Sequence, residues 1–206
     1  MELYEQKKQV KEYARKCYEK GYTAGTSGNL SILSGEDRIV ITPSGIEYGL
    51  IAVDDIMVID FDGNIVSGSH KPSSEWQMHA HIYKNMSNVF SVAHTHSPYA
   101  TSFAVLNRAI PTTLIEMVYF LGGDVRVAPV ATQGTTEVGV GVVNALKDRK
   151  ACLLQNHGVV CIGENLAEAF MRAEYVEDAA KVNHMAMALG EPTLLSEEMI
   201  RKHQKN

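Results

Sequence analysis

Two histidines one residue apart, His94-Thr95-His96, close an apolar β-branched run that begins near Val89. Alternate residues of a strand point to the same face, so both imidazoles are expected to project toward one point. Zinc needs such convergence, because its nitrogen ligands sit about 2.0–2.1 Å from the metal. His157 offers a third nitrogen from the turn Asn156-His157-Gly158, between the apolar runs Ala151–Gln155 and Val159–Ile162. Gly158 lets the backbone approach closely there. A lone histidine is usually a hydrogen-bonded structural residue; an H-x-H on a strand followed by a glycine-flanked histidine raises the case for a metal. His79 and His81 are a rival pair, but two residues apart on a helix they point about 200° apart and cannot share an ion. His79 does share a helix face with Glu75. His70, His184 and His203 read as surface or structural residues.

Glu75 stands in the expected first turn of a helix, where the dipole favours a carboxylate and simple capping is the bland explanation. Ser73-Ser74 before it adds hydroxyls and backbone N–H groups at the same terminus, a ready anion site. Gly25-Thr26-Ser27-Gly28-Asn29 and Thr42-Pro43-Ser44-Gly45 are further hydroxyl-rich turns suited to a phosphate without cationic side chains. None is a G-x-x-x-x-G-K-[ST] or G-x-G-x-x-G loop, so no nucleotide is implied.

The elements that must hold these groups can be read from periodicity. Helices are expected over Glu2–Lys20, from Ser73-Ser74 to about Asn85, and over Pro98–Leu106, Thr135–Lys147 and Asn165–Leu189. Strands are expected at Leu30–Leu33, Arg38–Thr42, Ile56–Asp60, Ile65–Val66, Val89–Thr95, Asp124–Val130, Ala151–Gln155 and Val159–Ile162, with Asp62-Gly63-Asn64 as a hairpin turn. Strands and helices alternate irregularly, so the fold class is α/β: a mixed sheet covered by helices. The 206 residues form one domain, with a polar tail from about 193 to 206 that holds a short fraying helix.

Composition narrows the function classes. Apolar residues are 45% and charged residues 21% of the chain, which excludes disorder and fibrous repeats. Lys and Arg number 19 against 24 Asp and Glu, a formal net charge of −5, so nucleic-acid binding lacks electrostatic support. The three cysteines are widely spaced without a C-x-x-C, which fits a reducing compartment. No secretory h-region and no membrane-length apolar stretch is present, so the expected location is the cytoplasm, with no membrane partner.

Six motifs in order, Gly25-Thr-Ser-Gly-Asn29, Thr42-Pro-Ser-Gly45, Lys71-Pro-Ser-Ser-Glu75-Trp76, His94-Thr-His96, Leu106-Asn-Arg-Ala-Ile-Pro111 and Leu154-Gln-Asn-His-Gly158, cover nearly the whole chain. Together they resemble the class II sugar-phosphate aldolase family, the group of fuculose-phosphate aldolases and ribulose-phosphate 4-epimerases, with Ser-Ser-Glu before Trp76 closer to the aldolase branch. The resemblance implies a three-layer α/β/α sandwich around a mixed, largely antiparallel sheet. It further implies a homotetramer with active sites at subunit interfaces and one catalytic Zn2+ per subunit. His94, His96 and His157 would be the zinc ligands, and Glu75 both the general base and a ligand of the resting site. Thr26, Gly28, Asn29, Ser44, Gly45, Ser73 and Ser74 would surround the substrate phosphate.

The reaction implied is reversible cleavage of a ketose 1-phosphate, such as L-fuculose 1-phosphate or a related deoxy-sugar 1-phosphate. It gives dihydroxyacetone phosphate and a short aldehyde through a metal-stabilised enediolate. A lysine Schiff base would be the other electron sink, but no lysine occupies a recognisable site for it. Two departures from the family concern the aldehyde side. Glu116 stands in Leu114-Ile-Glu-Met-Val118 where the aldolases carry a tyrosine, so it becomes the candidate acid, and no tyrosine follows Tyr175. The alternative readings are an epimerase, dehydratase or decarboxylase using the same zinc, or a non-catalytic domain like the head of adducin. The last lacks the metal ligands that are present here.

Overall fold

A computed structural model describes residues 2–204. In α1 (Glu2–Glu19) the apolar positions Val10, Ala14 and Cys17 recur at helical spacing and form its buried stripe. Gly21, at φ +70°, takes the left-handed conformation that ends the helix. Eight strands follow, interleaved with five further helices: β1 (Asn29–Ser34), β2 (Arg38–Ile41), β3 (Met57–Asp60), β4 (Ile65–Ser67), α2 (Trp76–Asn85), β5 (Ser91–Thr95), α3 (Pro98–Val105), β6 (Arg126–Ala128), α4 (Thr136–Leu146), β7 (Ala151–Leu154), β8 (Gly158–Gly163), α5 (Leu166–Leu189) and α6 (Glu197–Gln204).

The strands form one sheet in the order β4-β3-β2-β1-β5-β8-β7-β6. Every neighbouring pair is antiparallel except β6 with β7. Alternation along the strands sorts the apolar residues onto two faces. Ile39, Ile41, Met57, Ile59, Val92 and Val160 pack with Met78 and Ile82 of α2 and Val138 and Val142 of α4. On the other face Leu30, Ile32, Val40 and Ala93 meet α1 and Phe170 of α5. Ala151, Leu153, Val159 and Cys161 meet Ala100 and Phe103 of α3 and Ala173, Val176 and Ala180 of α5 on that same side. The result is the expected mixed, mainly antiparallel sheet between two helical layers. Each fully buried Ile or Val contributes about 1.5–3 kcal/mol, which anchors the strands that carry the site.

Most element boundaries fall within two residues of the sequence expectation. The expected strand over 124–130 is confined to Arg126–Ala128, which pairs with β7, while Val125 before it forms an isolated bridge to Ile110. An unexpected wide helical turn, Met117–Leu121, buries Met117, Val118 and Leu121. The tail helix α6 buries none of its residues and rests on that turn through a hydrogen bond between Tyr119 and His203. Residues 205–206 of the expected tail lie outside the described residues. No described helix is long and apolar enough to cross a membrane.

Candidate active site

Three separate elements converge at one end of the sheet. β5 carries His94 at its penultimate position, with its imidazole fully buried, and His96 follows one residue past the strand. The hairpin turn between β7 and β8 supplies His157, where Asn156 takes φ +57°, a left-handed conformation that asparagine tolerates better than most residues. A Cβ on Gly158 would lie 2.4 Å from the Thr95 carbonyl and 2.8 Å from Cδ2 of His96, so only glycine lets the turn approach the two strand histidines. The three rings lie 4.7–4.9 Å apart, and their ligand-capable nitrogens fall within 4.8 Å of one another.

Glu75 completes the cluster. It is the residue immediately before α2 and makes no capping hydrogen bond with its side chain, so helix capping does not explain it. The carboxylate is instead 97% buried (3% exposed) and turned into the histidines. Oε2 lies 3.2 Å from Nε2 of His94, and Oε1 lies 3.6 Å from Nε2 of His157. Nδ1 of His94 donates to the Val159 carbonyl at 2.8 Å, which leaves its Nε2 as the group facing Glu75 and, at 3.1 Å, Nε2 of His96. Three imidazole nitrogens and a carboxylate thus share one centre that requires a positive charge. Glu75 Oε1 and His157 Nε2 are both buried without a hydrogen-bond partner. Nitrogen and carboxylate donors of this kind fit a divalent ion, which would satisfy the orphaned buried atoms that point at this centre.

The charges answer one another in the same sense. Burial alone would push the Glu75 carboxyl up, but the facing His94 and His157 outweigh it and hold it well below the usual carboxylate range. Burial likewise opposes a charge on His94, and Glu75 overcomes it, so His94 is raised. His96 is lowered to about 3, first by desolvation and then by the neighbouring His94 and His157.

Asn29, His79, Ser31 and Tyr83 run back from Glu75 in a hydrogen-bonded row on the face covered by α2. Asn29 donates from Nδ2 to Glu75 Oε2 at 2.8 Å. Its carboxamide oxygen meets Nε2 of His79, whose Nδ1 lies 2.6 Å from the Ser31 hydroxyl. Tyr83 completes the chain, 2.6 Å from the same hydroxyl. Of these, sequence reasoning singled out Asn29 for a phosphate and His79 only as a neighbour of Glu75. Ser31 and Tyr83 carry no local signal, since only the sheet order and α2 bring them together. Burial lowers His79 from 6.5 to about 3, with His94 adding to the effect. The folded protein therefore keeps His79 neutral, while the unfolded chain takes up its proton below about pH 6.5. Stability must fall as the pH drops from about 6.5 toward 3, by up to about 1.4 kcal/mol per pH unit from this group. Chemical denaturation between pH 6.5 and 5 should show a steeper loss for the wild type than for His79→Gln.

The hydroxyl-rich turns also assemble beside Glu75. Ser44 donates its backbone N–H to the Lys71 carbonyl at 2.9 Å, and Ser73 donates to the Thr42 carbonyl at 3.0 Å, which joins the second turn to the segment before α2. Tyr48 ties the first turn to the second by donating to the Gly28 carbonyl at 2.6 Å and contacting the Thr42 hydroxyl. Gly28 has φ +78° and a Cβ there would lie 2.9 Å from the His94 carbonyl, so this turn is pressed against β5. The amides of Ser44 and Ser73 are spent on these links and are not available to an anion. Thr26, Ser44, Gly45 and Ser74 are exposed, Ser73 is buried, and one Asn29 amide hydrogen is committed to Glu75. Glu116 is exposed on the approach to the 117–121 turn, and among the described residues it makes no hydrogen bond or ion pair with the histidines. His70 pairs with Asp55, His184 lies against the Tyr99 ring, and His203 contacts Tyr119, all outside the cluster as expected.

Comparison with known proteins places the chain in a family. Residues 8–184 match the class II aldolase and adducin N-terminal domain. The chain is 36% identical over 199 residues to a 5-deoxy-D-ribulose 1-phosphate aldolase of Bacillus thuringiensis, covering 96% of this chain and 93% of that protein. It is 37% identical over 184 residues to an L-fuculose phosphate aldolase of Methanococcus vannielii, covering 87% and 97% respectively. A solved structure of an L-fuculose 1-phosphate aldolase superposes with a TM-score of 0.92 at 39% identity, covering 98% of this chain and 95% of that one. The chain belongs to the class II aldolase family, as an enzyme acting on sugar phosphates.

Proposed function

We propose that the chain is a zinc-dependent aldolase that reversibly cleaves a ketose 1-phosphate to dihydroxyacetone phosphate and a short aldehyde. The observation that carries this reading is the convergence of His94, His96, His157 and buried Glu75 beside three linked hydroxyl-rich turns. His94, His96 and His157, joined by Glu75 in the resting site, would hold a divalent ion, which would supply Lewis-acid polarisation of the substrate carbonyl. Glu75 Oε1, free of hydrogen bonds, is the base. In the synthetic direction it takes a proton from the hydroxylated carbon of dihydroxyacetone phosphate. The electron pair left on that carbon then forms the bond to the aldehyde carbon, and the aldehyde oxygen takes up a proton from solvent. In the cleavage direction the same carboxyl returns its proton to that carbon. The hydroxyls of Thr26, Ser44, Ser73 and Ser74, the backbone at Gly28 and Gly45 and the second Asn29 amide hydrogen hold the phosphate, which supplies binding remote from the reacting carbon.

An open apolar recess beside His96, lined by Pro98, Thr101, Val105 and Leu106, suits an aldehyde that ends in a methyl group. That favours a deoxy-sugar 1-phosphate, in keeping with the names of the B. thuringiensis and M. vannielii relatives. Exposed Val105, Leu106, Tyr119 and Val130 offer apolar surface for a homotetramer with sites near its interfaces. The three buried free cysteines fit a single-domain protein of the reducing cytoplasm.

A coupled assay for dihydroxyacetone phosphate over a panel of ketose 1-phosphates tests the reading. Release of dihydroxyacetone phosphate is expected from L-fuculose 1-phosphate or a deoxy-pentulose 1-phosphate, abolished by a chelator and restored by zinc. Full turnover by chelator-treated, metal-free protein would contradict it, as would no release from any member of the panel.

A further inference from the structure

Behind Glu75 the hydrogen-bond polarity is fixed along four residues, and the fixing starts from the carboxylate. An ionised carboxylate only accepts, so Asn29 must present its NH2 to Glu75 and its carbonyl oxygen to His79. That oxygen also only accepts, so His79 must carry its proton on Nε2. A neutral imidazole then has a bare Nδ1, to which the Ser31 hydroxyl donates. With its hydrogen used, Ser31 can take part in the contact with Tyr83 only as acceptor, so the Tyr83 hydroxyl donates. The chain runs one way, Tyr83 to Ser31 to His79 to Asn29 to Glu75. Asn29 is 2% exposed, Ser31 and His79 0% and Tyr83 6%, so water does not compete for any of these links. Linked donors that all point toward one charge polarise one another and reinforce it.

We propose that Tyr83, Ser31, His79 and Asn29 form a buried, unidirectional strut that holds the Glu75 carboxylate with Oε2 fixed and Oε1 free for proton transfer, with His79 as its central positioning residue. The strut rests on the reading of Glu75 as the base. Its members come from two elements, Asn29 and Ser31 from β1 and His79 and Tyr83 from α2, so it also ties the base to the strand next to β5. Asn29 gives Glu75 one of its two amide hydrogens and keeps the other for the substrate. Its orientation therefore couples the base to the phosphate turns.

The first test reads the tautomer directly on metal-free wild-type protein at neutral pH. Long-range 1H–15N correlation should show His79 protonated on Nε2 and bare on Nδ1; an Nδ1–H tautomer or an imidazolium would overturn the strut. The second reads kinetics. His79→Leu should lower kcat by roughly 10–100-fold, while KM for the ketose 1-phosphate rises by no more than about threefold and the bound metal per subunit stays unchanged. His79→Gln, which keeps an N–H toward Asn29, should recover most of that loss. Tyr83→Phe, at the far end, should cost about threefold in kcat alone. Full kcat in a folded His79→Leu protein would overturn the proposal, and so would a loss confined to KM or accompanied by loss of metal. Should His79→Leu fail to fold, Tyr83→Phe and the tautomer decide. Glu75→Gln run in parallel separates the two readings: an active Glu75→Gln enzyme removes the base, whereas an inactive one beside a fully active His79→Leu removes only the strut.

Discussion

Glu75→Gln should lower kcat of the aldolase reaction by roughly three orders of magnitude, within the 10²–10⁴-fold range of positioned acid–base groups. Glutamine matches the shape of glutamate but has no basic oxygen, so proton removal from the hydroxylated carbon loses its acceptor. The three imidazoles are untouched, and metal content should stay near one ion per subunit. Steady-state assays and metal analysis on the same preparation check both halves. Substantial remaining turnover would assign the base elsewhere. A large loss of metal would instead make Glu75 chiefly a ligand.

His157→Ala should abolish turnover by a different route, through the metal. Loss of a partner that only supports a ligand typically costs 10–100-fold in metal affinity, so loss of a ligand itself should cost at least about 100-fold. The fold should survive, because His157 sits in a surface turn with its side chain 22% exposed and makes no hydrogen bond through Nε2. Thermal unfolding distinguishes these effects: added zinc should raise Tm of the wild type and leave that of His157→Ala nearly unmoved, since a ligand stabilises only the state that binds it. A variant that retains stoichiometric zinc would exclude His157 as a ligand.

Local pattern carried much of this site. His94 and His96 share a face because strands alternate, and that rule holds although His96 lies just beyond β5. The turn at Asn156–Gly158 could be recognised from residue type, and the close approach at Gly158 is the physical reason for its glycine. Glu75 was expected in the first turn of α2 and stands one residue before it, which frees its side chain to leave the helix end for the histidines.

What could not be read locally depends on pairings distant in sequence. Asn29 lies opposite His94 only because β1 inserts between β2 and β5, a neighbour relation that no hairpin signal encodes. That pairing puts the Asn29 carboxamide on Glu75 and His79, where the glycine-rich turn alone suggested a phosphate. Ser31 and Tyr83 are ordinary strand and helix residues until α2 crosses the same face. The turn at Met117–Leu121 was hidden for a related reason: its buried residues face α3 and α5 rather than following a regular helical stripe.

Anomalous diffraction at the zinc edge, on crystals of the zinc-loaded protein, tests the metal centre most directly. One peak per subunit is expected, about 2.0–2.2 Å from a ring nitrogen of each of His94, His96 and His157. A peak at any other place, or a fully active crystal preparation with none, would contradict a catalytic metal held by these three histidines.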